Sequence, residues 1–74
     1  MTQKIDFDLR GEFVELNQLL KLVGICDSGG AGKALVASGE VSVDGEAELR
    51  KTRKVYAGSV VEIGDVQIRV IKAP

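Results

Sequence analysis

The 74-residue chain has no histidine, one cysteine and three aromatic side chains, Phe7, Phe13 and Tyr56. Without histidine there is neither a His-based catalytic triad nor a His metal site. Cys26 alone supplies no internal disulfide and no thiolate cluster for zinc. With no His to activate it, it reads as a small buried apolar residue. A chain this small from an oxidising compartment usually carries several cysteines, so the cytoplasm is the expected location. No run approaches the roughly 20 apolar residues of a membrane span. The opening MTQKIDFD has acids where a secretory signal has an apolar stretch. The carboxylates form no recognisable acid–base pattern, so no enzyme activity, cofactor or metal is expected. Scarce aromatics leave Leu, Val, Ile and Ala to build the core, and the length suits one domain over residues 1–74.

What is present divides by periodicity. Ile5, Phe7 and Leu9 alternate with Lys4, Asp6, Asp8 and Arg10, a strand with one buried face that Gly11 ends. From Val14 the period lengthens. Leu16, Leu19, Leu20 and Val23 make one helical stripe that Gly24 stops, with Asn17, Gln18 and Lys21 on the polar side. Ser28 is a suitable N-cap for a second helix through about Ser38, followed by Gly39. Gly29, Gly30 and Gly32 each weaken that helix by roughly 1 kcal/mol relative to Ala. It therefore needs docking through Ala31, Ala34, Leu35 and Ala37, and its glycines either permit close approach or form a loose first turn.

Val41 and Val43 flank Ser42, and Asp44-Gly45 signals a hairpin whose return strand can include Ala47 and Leu49. Turns at Ala57-Gly58 and Gly64-Asp65 frame two more strands, with Val66, Ile68 and Val70 on one face. The expected fold is α+β: two short packed helices and a small, curved, mostly antiparallel sheet of about five strands.

Charge is unevenly distributed. The net charge is −1, yet residues 50–54 hold Arg50, Lys51, Arg53 and Lys54 with no acid. At a Debye length of about 8 Å, the acids near the N-terminus scarcely reach that cluster. Glu46 and Glu48 are close enough to neutralise it unless they lie on the opposite face. Taken alone, the cluster suits phosphate binding and a protected, solvated edge strand about equally. The GGAGK at 29–33 is not a Walker A loop, because Asp27 and Ala34 stand where the first Gly and the Ser or Thr are required. Lys33 remains a single candidate phosphate contact at a helix start.

The order of these motifs, residues 16–24, then Ser28, Lys33, Leu35 and Gly39, then VSVDG at 41–45, resembles the S-four domain. That is the RNA-binding module named after ribosomal small-subunit protein four. The resemblance covers about residues 15–63, and VSVDG followed by ELRKTRK and AG is most similar to the small stand-alone YbcJ-like bacterial branch. It implies the alpha-L RNA-binding motif, with the helix pair and hairpin lying against structured RNA, ribosomal RNA included. Glu15, Asn17 and Gly29 replace family Arg, Asp and Arg, and Lys33 replaces another Arg. Positive charge has moved from the helices to 50–54. The implied RNA-binding residues are Lys21, Ser28, Lys33, Arg50, Lys51, Arg53 and Lys54, mainly through phosphates. Stacking on single strands is not the expected mode, and Tyr56, the one candidate for it, suits a core or sheet position better. A monomer is expected. The alternative is a protein-interaction module that keeps the fold without RNA binding.

Overall fold

The two ends of the chain lie side by side. In the computed structural model, which describes residues 2–74, β1 (Gln3–Leu9) pairs in parallel with β7 (Val66–Lys72), from Gln3 opposite Val66 to Leu9 opposite Lys72. The remaining strands of this sheet are β3 (Val41–Val43), β4 (Glu46–Ala47) and β6 (Val60–Ile63). The order is β1-β7-β6-β3-β4, antiparallel everywhere except at β1. The α+β architecture and mostly antiparallel sheet of the sequence reading are thus observed. A separate ribbon pairs β2 (Val14–Glu15) with β5 (Lys54–Val55).

Strand alternation puts Leu9, Val41, Val43, Val61, Ile68 and Val70 on one buried face. Leu16, Leu19 and Leu20 of α1 (Leu16–Leu22), Val36 of α2 (Gly29–Ala37) and Val55 complete a single core. On the solvent face, Arg69 donates to the carboxylate of Asp6, directly across from it, at 2.9 and 3.1 Å. The Asp44-Gly45 turn has φ of 53° and 87°, the primed geometry that suits strand twist. Asp44 also accepts from Val60 N at 2.9 Å and Ser59 Oγ at 3.2 Å, tying the hairpin tip to β6.

Helix α2 begins and ends as its sequence indicates. Ser28 Oγ accepts from Ala31 N at 3.1 Å, and Gly39 follows with φ of 83°. Ser28→Ala is expected to cost about 1 kcal/mol, read as a fall in Tm of roughly 4–8 °C. The docking face differs from expectation. Ala31, Ala34 and Ala37 are exposed; Gly32 and Val36 are buried and Leu35 half-buried. A Cβ on Gly32 would lie 2.6 Å from the Asn17 carbonyl oxygen, so the helices cross with backbone nearly touching backbone. That approach buries Asn17, which its helical position had suggested was on the polar side, at 1% exposure. Among the described residues, no helix is long and apolar enough to cross a membrane.

Candidate nucleic-acid interface

Of the basic stretch only Lys54 lies in a strand, β5 of the two-stranded ribbon. Strand β4 ends at Ala47, and Leu49, expected to extend it, is exposed. Residues 50–53 instead form a turn closed by Arg53 N donating to Arg50 O at 3.3 Å. Two of its carbonyls face α1: Leu16 N donates to Arg53 O at 2.9 Å and Asn17 N to Lys51 O at 3.1 Å. Glu15 gives that helix no side-chain cap, so the turn satisfies amides that would otherwise lack a partner. Helix and basic turn therefore brace each other.

The second brace is Glu48. Its backbone still reaches β3, Glu48 N donating to Val41 O at 2.9 Å, while its side chain turns into the cluster. Oε2 accepts from Arg50 N at 3.0 Å and Arg50 Nε at 3.1 Å. Oε1 accepts from Arg50 Nη2 at 3.1 Å and Arg53 Nη1 at 2.6 Å. Glu46 is exposed and makes none of these contacts. Hydrogen bonds from Arg50, then from Arg53, hold the Glu48 carboxyl down at about 2 against an ordinary 4.5. A carboxyl lowered on folding stabilises the fold above its unfolded value and loses that contribution as it is protonated. Stability should therefore fall as pH drops from 4.5 toward about 2. Asp6, lowered by its hydrogen bond from Arg69, adds to the same fall. Glu48→Gln removes one share, so urea unfolding of E48Q should depend less steeply on pH across that window.

The result is an open groove lined by Lys33, Leu49, Arg50, Lys51, Thr52, Arg53 and Lys54. Lys33 reaches it from α2, so tertiary structure adds a fifth cation to the four that are close in sequence. Of these five cations only Arg50 and Arg53 pair with Glu48, and Glu15, an acid near the N-terminus expected to lie out of range, stands across the β2–β5 ribbon from Lys54. Among the described residues, Lys33, Lys51 and Lys54 make no ion pair. Arg50 keeps its side chain 74% exposed while pinned, whereas Arg53 is 31% exposed and serves chiefly as the anchor. Lys21, in the last turn of α1, and Ser28, occupied as a cap, do not line the groove.

Lys54 Nζ sits 4.9 Å from the centroid of the Phe13 ring, and Phe13 meets Tyr56 at 6.1 Å between centroids. Tyr56 is exposed, not a core residue. The contact of Phe13 with Tyr56 and Lys54 was not legible in the sequence, because a pairing of two-residue strands leaves no periodic signal. Glu48 did leave one: it stands two and five residues before the arginines it holds. Among the described residues, no three His, Cys, Asp or Glu side chains gather to hold a metal ion. Burial pushes the half-buried Cys26 thiol up, with Asp27 adding to the shift.

Residues 7–71 match the family model of the S4 domain. The chain belongs to the S4 domain family. It is 43% identical over 58 residues to YbcJ of Escherichia coli (strain K12), provisionally named an RNA-binding protein; the match spans 78% of this chain and 83% of YbcJ. It is 44% identical over 52 residues to RlbA of Bacillus subtilis (strain 168), provisionally named a ribosome maturation protein, over 70% and 73% of the two chains. The solution structure of E. coli YbcJ, described as revealing an αL motif involved in RNA binding, aligns with a TM-score of 0.67 at 35% identity. That alignment covers 96% of this chain and 89% of YbcJ. Within the S4 domain frame, both helices and the β3–β4 hairpin take their anticipated places. The family match also takes in the end of β1 and nearly all of β7, beyond the 15–63 stretch that carries the sequence resemblance.

Proposed function

We propose that this S4 domain protein is a single, non-catalytic RNA-binding module that grips the phosphate backbone of folded RNA. The observation that carries this reading is the groove in which Lys33 joins Arg50, Lys51, Arg53 and Lys54, with the two arginines held by one buried carboxylate. Lys33, Lys51 and Lys54 contact phosphates directly. Arg50 offers the outer edge of its guanidinium, and Arg53 positions the turn. A set of cations spread over an open surface reads phosphates more readily than base identity, which suits A-form RNA with its inaccessible major groove. Lys21 and the exposed Ser28 hydroxyl lie outside the groove and would extend the contact only on a large RNA. The RNA-binding αL motif described for YbcJ supports RNA as the ligand, and the name of RlbA supports ribosomal RNA as its class; in this reading the protein acts as a cytoplasmic monomer.

The test is fluorescence anisotropy with a folded ribosomal RNA fragment and an RNA duplex, each across a salt series. Three to five phosphate contacts correspond to a log–log slope of about −2 to −4. Affinity should then fall by roughly 60-fold between about 50 and 200 mM salt for a slope near −3. Absence of binding at the lowest salt would refute RNA binding and favour the protein-interaction reading.

A further inference from the structure

The basic groove does not end at Lys54. On the outer face of the β2–β5 ribbon, Val14 and Val55 pair and turn toward the core, leaving Phe13 and Tyr56 outside. Phe13 is 38% and Tyr56 50% exposed, and their rings are tilted by 54°. Lys54 belongs to the basic groove and also stands over Phe13, so the aromatic pair directly continues the cationic surface. On its far side, Tyr56 borders a second groove with Leu9, Gly11, Glu12, Ala57 and Lys72. Two carboxylates flank this path, Glu15 across the ribbon from Lys54 and Glu12 in the second groove.

We propose that the Phe13–Tyr56 pair is a docking site for one unpaired nucleobase, presented where a strand leaves the RNA held in the basic groove. This rests on the RNA-binding reading above and adds a preference that phosphate contacts alone do not supply. An aromatic ring accepts any base by stacking, whereas phosphates pass equally well from paired or unpaired nucleotides. The tilt rules out a flat two-ring floor. It makes a wedge in which the base lies on the Tyr56 ring with its edge toward Phe13. Glu15 opposite Lys54 and Glu12 beside Lys72 leave the wedge close to neutral, less attractive to a phosphate than the basic groove, so the base enters while its backbone stays near Lys54. A single base suits this geometry; an extended single strand does not, because among the described residues no further aromatic adjoins the pair.

The experiment compares a blunt RNA hairpin with the same hairpin carrying a short unpaired overhang that contains 2-aminopurine. The native protein should bind the overhang RNA about tenfold more tightly and change the 2-aminopurine fluorescence. Tyr56→Leu should cut that preference to less than about twofold, and Tyr56→Phe should restore it. Circular dichroism confirms that each variant is folded. Equal affinity of the native protein for the two RNAs overturns the proposal while leaving phosphate binding intact, as does a preference unchanged in Y56L. No binding to either RNA at low salt overturns both readings.

Discussion

Reversing Lys33, Lys51 and Lys54 together to Glu should lower the affinity for folded RNA at least about 100-fold and leave the fold intact. Each substitution removes a phosphate contact and introduces repulsion, and a tenfold loss corresponds to about 1.4 kcal/mol. The salt dependence should flatten as well, by about one unit of slope per lysine. The lysines are the informative targets because they are exposed and make no ion pair, and circular dichroism checks that the change at Lys54, across from Glu15 and over the Phe13 ring, leaves the protein folded. The arginines are poor ones: reversing Arg53 would set a second carboxylate against Glu48, and any loss of binding would be confounded with a collapsed turn. Lys21→Glu, outside the groove, should cost about threefold or less, a long-range effect of charge alone. Anisotropy measures all of these. A triple reversal that stays folded and still binds within about threefold of the native chain would remove the groove as the site.

Two glycines in one helix should respond in opposite directions to the same substitution. Gly32→Ala is expected to destabilise the protein by about 2–3 kcal/mol, the cost of overpacking. The new Cβ would sit 2.6 Å from the Asn17 carbonyl oxygen, and neither partner is the flexible end of a side chain. The helices would have to separate, loosening Val36 from Leu16, Leu19 and Leu20 in the shared core. Better helix propensity returns only about 1 kcal/mol. Gly30→Ala has the same propensity gain without the collision, because its Cβ would meet only Ser28 Oγ at 3.9 Å. It should raise stability by up to about 1 kcal/mol. For a small domain of typically about 5 kcal/mol total stability, thermal denaturation should separate the two variants by well over 10 °C. Equal Tm values would mean that the helices cross more loosely than this geometry requires.

These glycines also show where sequence reading stops. Three glycines in a predicted helix read equally well as a loose first turn or as a close crossing. Only the partner helix distinguishes Gly32 from Gly30, and the partner is chosen by three-dimensional packing. Asn17 was misplaced for the same reason: helical periodicity puts it beside Gln18 and Lys21, but the depth of the crossing covers it. Leu49 and Glu48 were read as strand residues because nothing local marks the end of β4 after Ala47. Glu48 N still bonds to Val41 O, and beyond it the bonds from α1 amides to the basic turn and from the Glu48 side chain to two arginines draw the chain away from β3.

The local chemistry of the chain determined much by itself. Alternation selected the buried faces of β1 and β7. Asp44-Gly45 set a turn with two positive φ values, and Ser28 with Gly39 bounded α2. Each depends on backbone conformations available within a few residues. The order of those motifs was enough to indicate the family, and the four clustered cations were visible directly. Tertiary structure decided the rest: the parallel closure of β1 on β7, the convergence of Lys33 with residues 50–54, and the meeting of Phe13 with Tyr56. It also decided that Glu48 organises its neighbouring cations within the groove. Long-range packing made these choices, because contacts between distant segments are selected by how a shared core fills and leave no period or spacing in either segment alone.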